Sequence, residues 1–247
     1  MKIVVIGGTG LIGSQVVKKL RDAGHEALPA SPSVGVNTIT GEGLEQALSG
    51  AEVVIDVPNS PSFDDEVALK FFQTSTTNLL AAEAVAGVRH HLILSIVGVD
   101  QLPHLGYYRA KVAQEELLKA GSIPYSIIRA TQFFEFISSI MKMTTDGAVV
   151  RLPSTLLQPI ASADVVATLV DTATGAPVQG ILNVAGPEAI RLDELGRLSL
   201  AAKPDARSVV TDENAGMFGG GISDRVLTAG DDALITQTRF EDWLVRS

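Results

Sequence analysis

The feature that most limits the possible folds is a β-branched run followed directly by a glycine-rich turn and an amphipathic helix. Residues 3–6 read Ile-Val-Val-Ile, without alternation, which predicts a strand buried on both faces of a parallel sheet. Residues 11–23 then place their apolar side chains on one helical face, and Gly24 ends the helix. This order of strand, turn and helix indicates the first unit of an α/β fold.

The turn itself carries three glycines, Gly7, Gly10 and Gly13, at intervals of three. Glycines at these places allow a tight turn, close approach of the backbone to a diphosphate, and close packing of helix on strand. The helix N–H groups and the positive end of its dipole then face the anion. A turn without a ligand is the less favoured alternative, because such glycines otherwise only destabilise. We expect the cofactor to contact Gly7, Thr9, Gly10, Leu11, Ile12 and Gly13.

Further apolar runs alternate with helix-like stretches along the first half of the chain. Strands are expected at 26–30, 53–57, 91–95 and 125–128, and helices at 64–86 and 107–120. This alternation predicts a doubly wound parallel α/β sheet of the Rossmann type.

The second half of the chain is less regular. The sequence suggests a helix at 131–143, a strand at 158–160, a helix at 163–172, a strand at 180–184 and a flexible stretch at 217–221. We expect one NAD(P)-binding domain over 1–247, in which a small C-terminal portion, mainly 131–247, faces the substrate.

Composition excludes several classes of function. The 247 residues carry a formal net charge of −9, so binding to a phosphate backbone would work against the overall field. There is no cysteine, which rules out disulfides, thiolate metal sites and a cysteine nucleophile. The four histidines have no metal-like spacing, and no metal is expected. Neither a signal segment nor an apolar run long enough to cross a membrane is evident, so a cytoplasmic location without nucleic-acid or membrane partners is expected.

The end of the second predicted strand bears on which dinucleotide binds. An NAD-binding site usually has an acidic residue there for the ribose hydroxyls, but this strand runs into Ser31, Pro32 and Ser33. Ser31 and Ser33 could donate to a 2′-phosphate, although no arginine accompanies them. We therefore expect NADP, with NAD as the alternative.

The end of the strand at 53–57 should also contact the cofactor. Val57, Pro58 and Asn59 should lie near the ribose and adenine, unless they form only a proline-terminated turn.

Tyr107 and Lys111 begin a predicted helix, and their four-residue spacing places them on one face. A phenol with an ordinary pKa near 10 needs a neighbouring positive charge to act as an acid near neutral pH, and a lysine one turn away supplies it. This pair suits carbonyl reduction. The alternative is that Lys111 pairs with Glu115 on a solvated face while Tyr107 only packs.

The sequence resembles the short-chain dehydrogenases, and among them the atypical NmrA-like, NAD(P)-binding oxidoreductases. The resemblance covers most of the chain and rests on residues 7–13, 94–99, 107–111 and 123–134, with weaker similarity at 160–165 and 182–187. It implies a Rossmann fold, a bound nicotinamide dinucleotide, Tyr107 as proton donor, and Lys111 holding the nicotinamide ribose and lowering the pKa of Tyr107.

The resemblance also implies roles for three further residues, and the sequence departs from the family pattern at one place. Family enzymes usually add a Ser or Thr that binds the substrate oxygen, but here only Ser95 is available, and Val97 stands where the catalytic hydroxyl is expected. Ser95 is therefore a candidate for that hydroxyl and for a cofactor contact. Ala130 and Gln132 follow the strand beside the nicotinamide and are expected to neighbour the cofactor.

Together these features predict an NADPH-preferring oxidoreductase that reduces a small carbonyl or quinone, with Tyr107 as proton donor and Lys111 as its activator. The alternative is a non-catalytic, NAD(P)-sensing regulatory protein of the NmrA-like type. A sugar-nucleotide enzyme is less favoured, because the chain beyond Arg151 has few clustered arginines for a second nucleotide. The expected partner is a small-molecule substrate, and the chain is expected to be a monomer or a homodimer.

Overall fold

The computed structural model describes residues 1–203, 205–220 and 222–246. Its strands are, in chain order, β1 (Lys2–Ile6), β2 (Glu26–Ala30), β3 (Val53–Asp56), β4 (His90–Ile96), β5 (Tyr125–Ala130), β6 (Thr145–Asp146), β7 (Val149–Leu152), β8 (Leu156–Leu157), β9 (Gly180–Ala185), β10 (Ile190–Arg191), β11 (Ser208–Thr211) and β12 (Leu234–Ile235). Its α-helices are α1 (Leu11–Asp22), α2 (Leu44–Leu48), α3 (Asp65–Ala86), α4 (Gly106–Ala120), α5 (Phe134–Met143), α6 (Ser162–Thr174), α7 (Leu192–Ala202) and α8 (Phe240–Arg246).

The largest sheet has seven strands in the order β12-β9-β5-β4-β3-β1-β2. The pairs β1–β2, β1–β3, β3–β4 and β9–β12 are parallel. The chain reverses its direction of travel across the sheet between β1 and β3, and ligands of such sheets bind beyond the carboxyl ends of the strands at that point. The predicted doubly wound, Rossmann-like α/β fold is confirmed.

The helices form where the sequence supplies an apolar face and an end signal. On α1 the buried side chains Ile12, Val16 and Leu20 recur at helical spacing. Asp64 caps α3 by accepting from two backbone N–H groups of its first turn, and Gly87 ends that helix in the left-handed region.

One face of the sheet is buried yet partly polar. Val54 lies opposite His91 and Asp56 opposite Ile93 in the parallel register of β3 and β4. Because alternate residues of a strand share a face, Asp56, His91 and Ser95 all project toward the same side. Helices α3 and α4 pack on each other and supply the partners of these side chains, so this layer combines apolar packing with buried charge.

The chain divides into two compact units. The first comprises Met1–Arg129 and Val166–Leu182, and the second comprises Ala130–Val165 and Asn183–Ser247. The first boundary lies next to residue 131, where the substrate-facing part was expected to begin, and the assignment of one domain to the whole chain stays a prediction. The second unit contains the antiparallel pair β8–β10 and a small sheet of order β11-β7-β6.

The main differences from the predicted elements fall in the second unit. The strand expected at 158–160 is wrong, since β8 ends at Leu157 and Ile160 forms only an isolated bridge with Phe133. Gly221, the last residue of the stretch expected to be flexible, lies outside the described residues. Among the helices that are described, none has the length and apolar character needed to cross a membrane.

A core substitution tests the packing of α4 on the sheet. Leu118 is fully buried against Ile93 and Ile127, so Leu118→Ala should lower the free energy of unfolding by about 2–5 kcal/mol. Val85 on α3 is 88% exposed, and Val85→Ala should change it by less than about 0.5 kcal/mol. Urea denaturation measures both, and equal losses in the two variants would contradict this packing.

Candidate functional site

The glycine turn is held in place by very close packing. Gly7 has a φ of +73°, which favours glycine, and a Cβ there would lie 2.8 Å from the Pro58 Cα. A Cβ at Gly8 would lie 2.6 Å from the Pro29 Cα, and one at Gly13 would lie 2.2 Å from the Gly7 carbonyl oxygen. The turn therefore touches the ends of β2 and β3, and these contacts leave no room for side chains.

Gly10 differs from its neighbours because the space beside it is open. Among the described residues, a Cβ there would have one close neighbour, the Gly7 carbonyl oxygen at 3.3 Å. Gly10 is the N-cap of α1 and no side chain caps this end of the helix. Thr9, Gly10 and Leu11 are exposed, whereas Ile12 is buried. This open cradle at a helix N-terminus fits a diphosphate group, for which Gly10 and the first-turn amides would be the ligands.

Three hydroxyl groups meet beside the turn at the end of β2. Thr9 Oγ1 donates to Ser31 Oγ at 3.0 Å, and Ser31 Oγ lies 2.9 Å from Ser33 Oγ. The structure thus brings together the two predicted serines and adds Thr9 to them. Each hydroxyl can donate or accept, which suits hydrogen bonding to a ribose or to its phosphate.

The end of β3 connects the glycine turn to the predicted proton donor. The Val57 N–H donates to the Ile6 carbonyl at 3.1 Å, and Pro58 is the residue that abuts Gly7. The next residue, Asn59, is exposed, and its Oδ1 accepts a 2.7 Å hydrogen bond from the Tyr107 hydroxyl. Gly7, Pro58, Asn59 and Tyr107 therefore form a continuous series of contacts within the first unit.

Tyr107 lies among aromatic rings. Its ring centroid is 5.4 Å from that of Phe63 and 5.7 Å from that of Phe72. Burial raises the pKa of Tyr107 above its usual value, and Tyr108 raises it further. The pKa of Tyr107 is thus raised in this arrangement, and a lowering of that pKa by Lys111 stays a prediction.

Lys111 lies in the protein interior. Its Nζ donates to Gln114 Oε1 and lies 4.5 Å from the centroid of the Phe72 ring, the same ring that packs on Tyr107. Burial lowers the pKa of Lys111 to about 8, and Asp56 and Glu115 oppose this shift. The alternative of a Lys111–Glu115 pair on a solvated face is wrong, because both side chains are buried.

Asp56 and Gln114 are functional candidates that the sequence analysis missed. Gln114 Nε2 donates to Asp56 Oδ2 at 2.8 Å. Burial raises the pKa of Asp56, while His91 and Lys111 act to lower it. A carboxylate inside the otherwise apolar run at 53–57 was the signal that could have identified Asp56, because such a group needs partners when buried.

Ser95 is buried beneath α4, and its hydroxyl donates to Glu115 Oε1 at 2.6 Å. Both carboxylate oxygens of Glu115 also accept from Arg129, at 2.9 and 2.6 Å, and Arg129 donates to Asp100 at 3.0 Å. The Ser95 proton is thus engaged by a structural ion pair, and Ser95 is not among the groups joined to Tyr107 by these hydrogen bonds. Its catalytic and cofactor-binding roles stay predictions.

Ala130 and Gln132 belong to the second unit. Ala130 is buried, and the side-chain nitrogen and oxygen of Gln132 are buried without a hydrogen-bond partner among the described residues. Buried amide atoms usually have partners, so Gln132 has free capacity for a ligand. Contact of either residue with the cofactor stays a prediction.

Two curated relatives differ in function and in how much of their length matches. The chain is 28% identical over 211 residues to the (4-alkanoyl-5-oxo-2,5-dihydrofuran-3-yl)methyl phosphate reductase of Streptomyces griseus. The aligned region covers 78% of the chain and 70% of this relative. The chain is 26% identical over 149 residues to the photosystem II assembly factor Ycf39 of Synechocystis, covering 55% of the chain and 46% of the relative. The chain thus spans less than half the length of the assembly factor.

A solved structure and a family profile complete the comparison. An NADPH-dependent quinone oxidoreductase from Escherichia coli superposes with a TM-score of 0.73, covering 99% of this chain and 98% of the other. At 15% identity, it shows that the fold is shared. The profile of the NAD(P)H-binding family matches residues 7–175, which is more than half of the chain. This range includes the glycine turn, the hydroxyl cluster, Asn59, Tyr107 and Lys111. The chain therefore belongs to the NAD(P)H-binding family.

Proposed function

We propose that the protein is an NADPH-preferring reductase of a small carbonyl or quinone substrate, with Tyr107 as the proton donor. The observation that carries this proposal is the series of contacts from Gly7 through Pro58 and Asn59 to the Tyr107 hydroxyl. It joins the diphosphate cradle to a phenol at the same edge of the sheet. A dinucleotide held at one end would extend toward the other.

The cradle and the hydroxyl cluster would divide the cofactor between them. Gly10 and the first-turn amides of α1 would hold the diphosphate, while Ser31, Ser33 and Thr9 would bind the adenosine ribose and its 2′-phosphate. In the family that the sequence resembles, a lysine at the position of Lys111 holds the nicotinamide ribose. The bound cofactor supplies the hydride, and the remaining steps belong to residues of this chain.

Tyr107 is suited to the second half of the reaction. Once the substrate carbon has received a hydride, its C=O π bond is broken and the oxygen carries a negative charge. The Tyr107 hydroxyl then donates its proton to that oxygen. The phenol is protonated at neutral pH, which is the form that a donor requires, and the charge of Lys111 would have to offset the raised pKa as the proton leaves. Asn59 Oδ1 holds the hydroxyl hydrogen until a substrate oxygen takes its place, and Lys111 would stabilise the phenolate that remains.

The comparisons support reduction as the reaction class. The Streptomyces griseus relative is named as a reductase of an unsaturated oxo-dihydrofuran phosphate, and the structurally similar Escherichia coli protein is named as a quinone oxidoreductase. Both names refer to a redox reaction of a carbonyl-bearing compound. A small substrate of that general kind is what we propose for this chain.

A non-catalytic NAD(P)-sensing protein is the second candidate, and two observations favour it. The Ser95 hydroxyl is engaged by Glu115, and one relative is named as an assembly factor. The two proposals differ in turnover: the reductase consumes NADPH with at least one member of a panel of quinones and aldehydes, whereas the sensor binds NADPH without consuming it.

The cradle predicts opposite outcomes for two glycine substitutions. Gly10→Ala should weaken NADPH binding by about tenfold or more, because its methyl group enters the diphosphate space, while stability changes little. Gly13→Ala should instead lower the unfolding free energy by at least about 2 kcal/mol, because its Cβ would lie 2.2 Å from a backbone oxygen. Calorimetric titration and thermal unfolding measure the two effects, and unchanged affinity in Gly10→Ala would argue against the diphosphate site.

The hydroxyl cluster predicts how cofactor preference responds to charge. Ser33 is exposed, so Ser33→Asp should fold normally and repel a 2′-phosphate, weakening NADPH binding by about tenfold while NADH binding stays the same. The matched control Ser33→Ala removes the hydroxyl without adding charge and should weaken NADPH binding by less. Equal weakening for both cofactors in Ser33→Asp would contradict a 2′-phosphate site here.

The proposed proton donor is tested by removing one oxygen atom. Tyr107→Phe should bind NADPH as the wild type does and lose at least about a hundredfold in kcat, measured as the loss of NADPH absorbance with an accepted quinone or aldehyde. Tyr125→Phe, on β5, removes a phenol outside the contact series and is the control. Full turnover by Tyr107→Phe would exclude Tyr107 as the donor.

A further inference from the structure

A chain of three buried polar side chains lies directly beneath the proposed site, and it includes Lys111. Asp56 and Gln114 are each 1% exposed and Lys111 is 4% exposed. The Lys111 ammonium donates to Gln114 Oε1, and Gln114 Nε2 donates to Asp56 Oδ2 at 2.8 Å. The amide of Gln114 therefore links a cation to a carboxylate without direct contact between them.

The chemistry of the amide makes this link directional. A glutamine side chain has an oxygen that only accepts and a nitrogen that only donates. The ammonium, which only donates, fixes the oxygen end, and the carboxylate of Asp56 fixes the nitrogen end. Each of the three groups thus requires the other two to be in their present orientation.

Lys111 depends on such support because its surroundings disfavour charge. Its ammonium faces the Phe72 ring instead of water, and burial brings its pKa down to about 8. Loss of one neighbouring negative charge would lower the pKa of Lys111 further, so that the lysine would lose its proton within the physiological pH range.

The other charged groups around the chain are already paired. From α4, Glu115 is bound by Arg129 of β5 and by Ser95 of β4. From α3, both carboxylate oxygens of Glu83 lie 2.8 Å from His91 Nδ1 of β4. His91 Nε2 is 3.9 Å from Asp56 Oδ2.

Within the part of the chain that the structure describes, Asp56 has no such competing hydrogen bond. Its Oδ1 is buried without a partner, and its Oδ2 accepts from Gln114. Of the carboxylates near Lys111 that are described above, Asp56 is therefore the one that is linked to the lysine by hydrogen bonds, through the amide of Gln114.

We propose that Asp56 is a positioning residue that acts through Gln114 to keep Lys111 charged and to fix the place of its ammonium group. Any effect of Asp56 on turnover rests on the proposed function. Its effect on cofactor affinity does not, because a charged Lys111 would favour binding of the anionic dinucleotide whether or not a substrate is reduced.

The test is the pH dependence of the NADPH dissociation constant, measured calorimetrically on the full chain. Wild-type affinity should fall above an alkaline midpoint set by Lys111. In Asp56→Asn, which keeps an oxygen to accept from Gln114, this midpoint should move down by about one pH unit, so that affinity between the two midpoints falls by up to about tenfold. Lys111→Met should abolish the midpoint.

Two further variants keep the test decisive. Glu116→Gln removes an exposed carboxylate on the same helix that pairs with Lys119 and should leave the midpoint in place. Gln114→Met keeps the side-chain length but removes the acceptor of the lysine, and it should lower the midpoint even if Asp56→Asn fails to fold.

The outcomes separate a positioning role from a structural one. A lower melting temperature in Asp56→Asn with the wild-type midpoint would overturn the proposal, as would an equal shift in Glu116→Gln, a midpoint that persists in Lys111→Met, or a flat wild-type profile. Failure of the proposed reductase function would appear instead as NADPH binding without NADPH consumption across the panel of quinones and aldehydes, which leaves these affinity measurements unaffected.

Discussion

The contact between the glycine turn and the ends of β2 and β3 determines where everything else in the site can lie. Gly7, Gly8 and Gly13 pack so closely on backbone atoms that the turn has one position relative to the sheet. Because Pro58 forms part of that contact, the next residue, Asn59, is carried to the Tyr107 hydroxyl. The proposed diphosphate cradle and the phenol of Tyr107 are thus placed by the same packing, which leaves no space for side chains at Gly7, Gly8 and Gly13.

The second organising feature is the buried polar layer under α3 and α4. Burying charge costs free energy unless the charge is paired and hydrogen-bonded, and most members of this layer meet that condition. Glu115 is satisfied by Arg129 and Ser95, and Glu83 by His91. Lys111 and Asp56 are joined through Gln114, and burial shifts the pKa of each toward its neutral form.

The sequence predicted the fold well and the site in part. Local patterns identified α1, the strand at 26–30 and the glycine turn, because glycine spacing and apolar periodicity are properties of neighbouring residues. The serines at the end of β2 were also found to lie together. The environment of Lys111 was not predictable, since it depends on Asp56, which is 55 residues away, and on Phe72 in another helix. The engagement of Ser95 by Glu115 likewise follows from the packing of α4 on β4, which no local pattern encodes.

The division of the chain into two units has a consequence for how such a protein diversifies. The glycine turn, the hydroxyl cluster, Tyr107, Lys111 and Asp56 all belong to the first unit, and their hydrogen bonds with one another are made within it. Mutations that accumulate in the second unit leave these contacts intact. Selection for a new substrate that acted on the second unit would therefore remove none of the hydrogen bonds on which the proposed chemistry of the first unit depends.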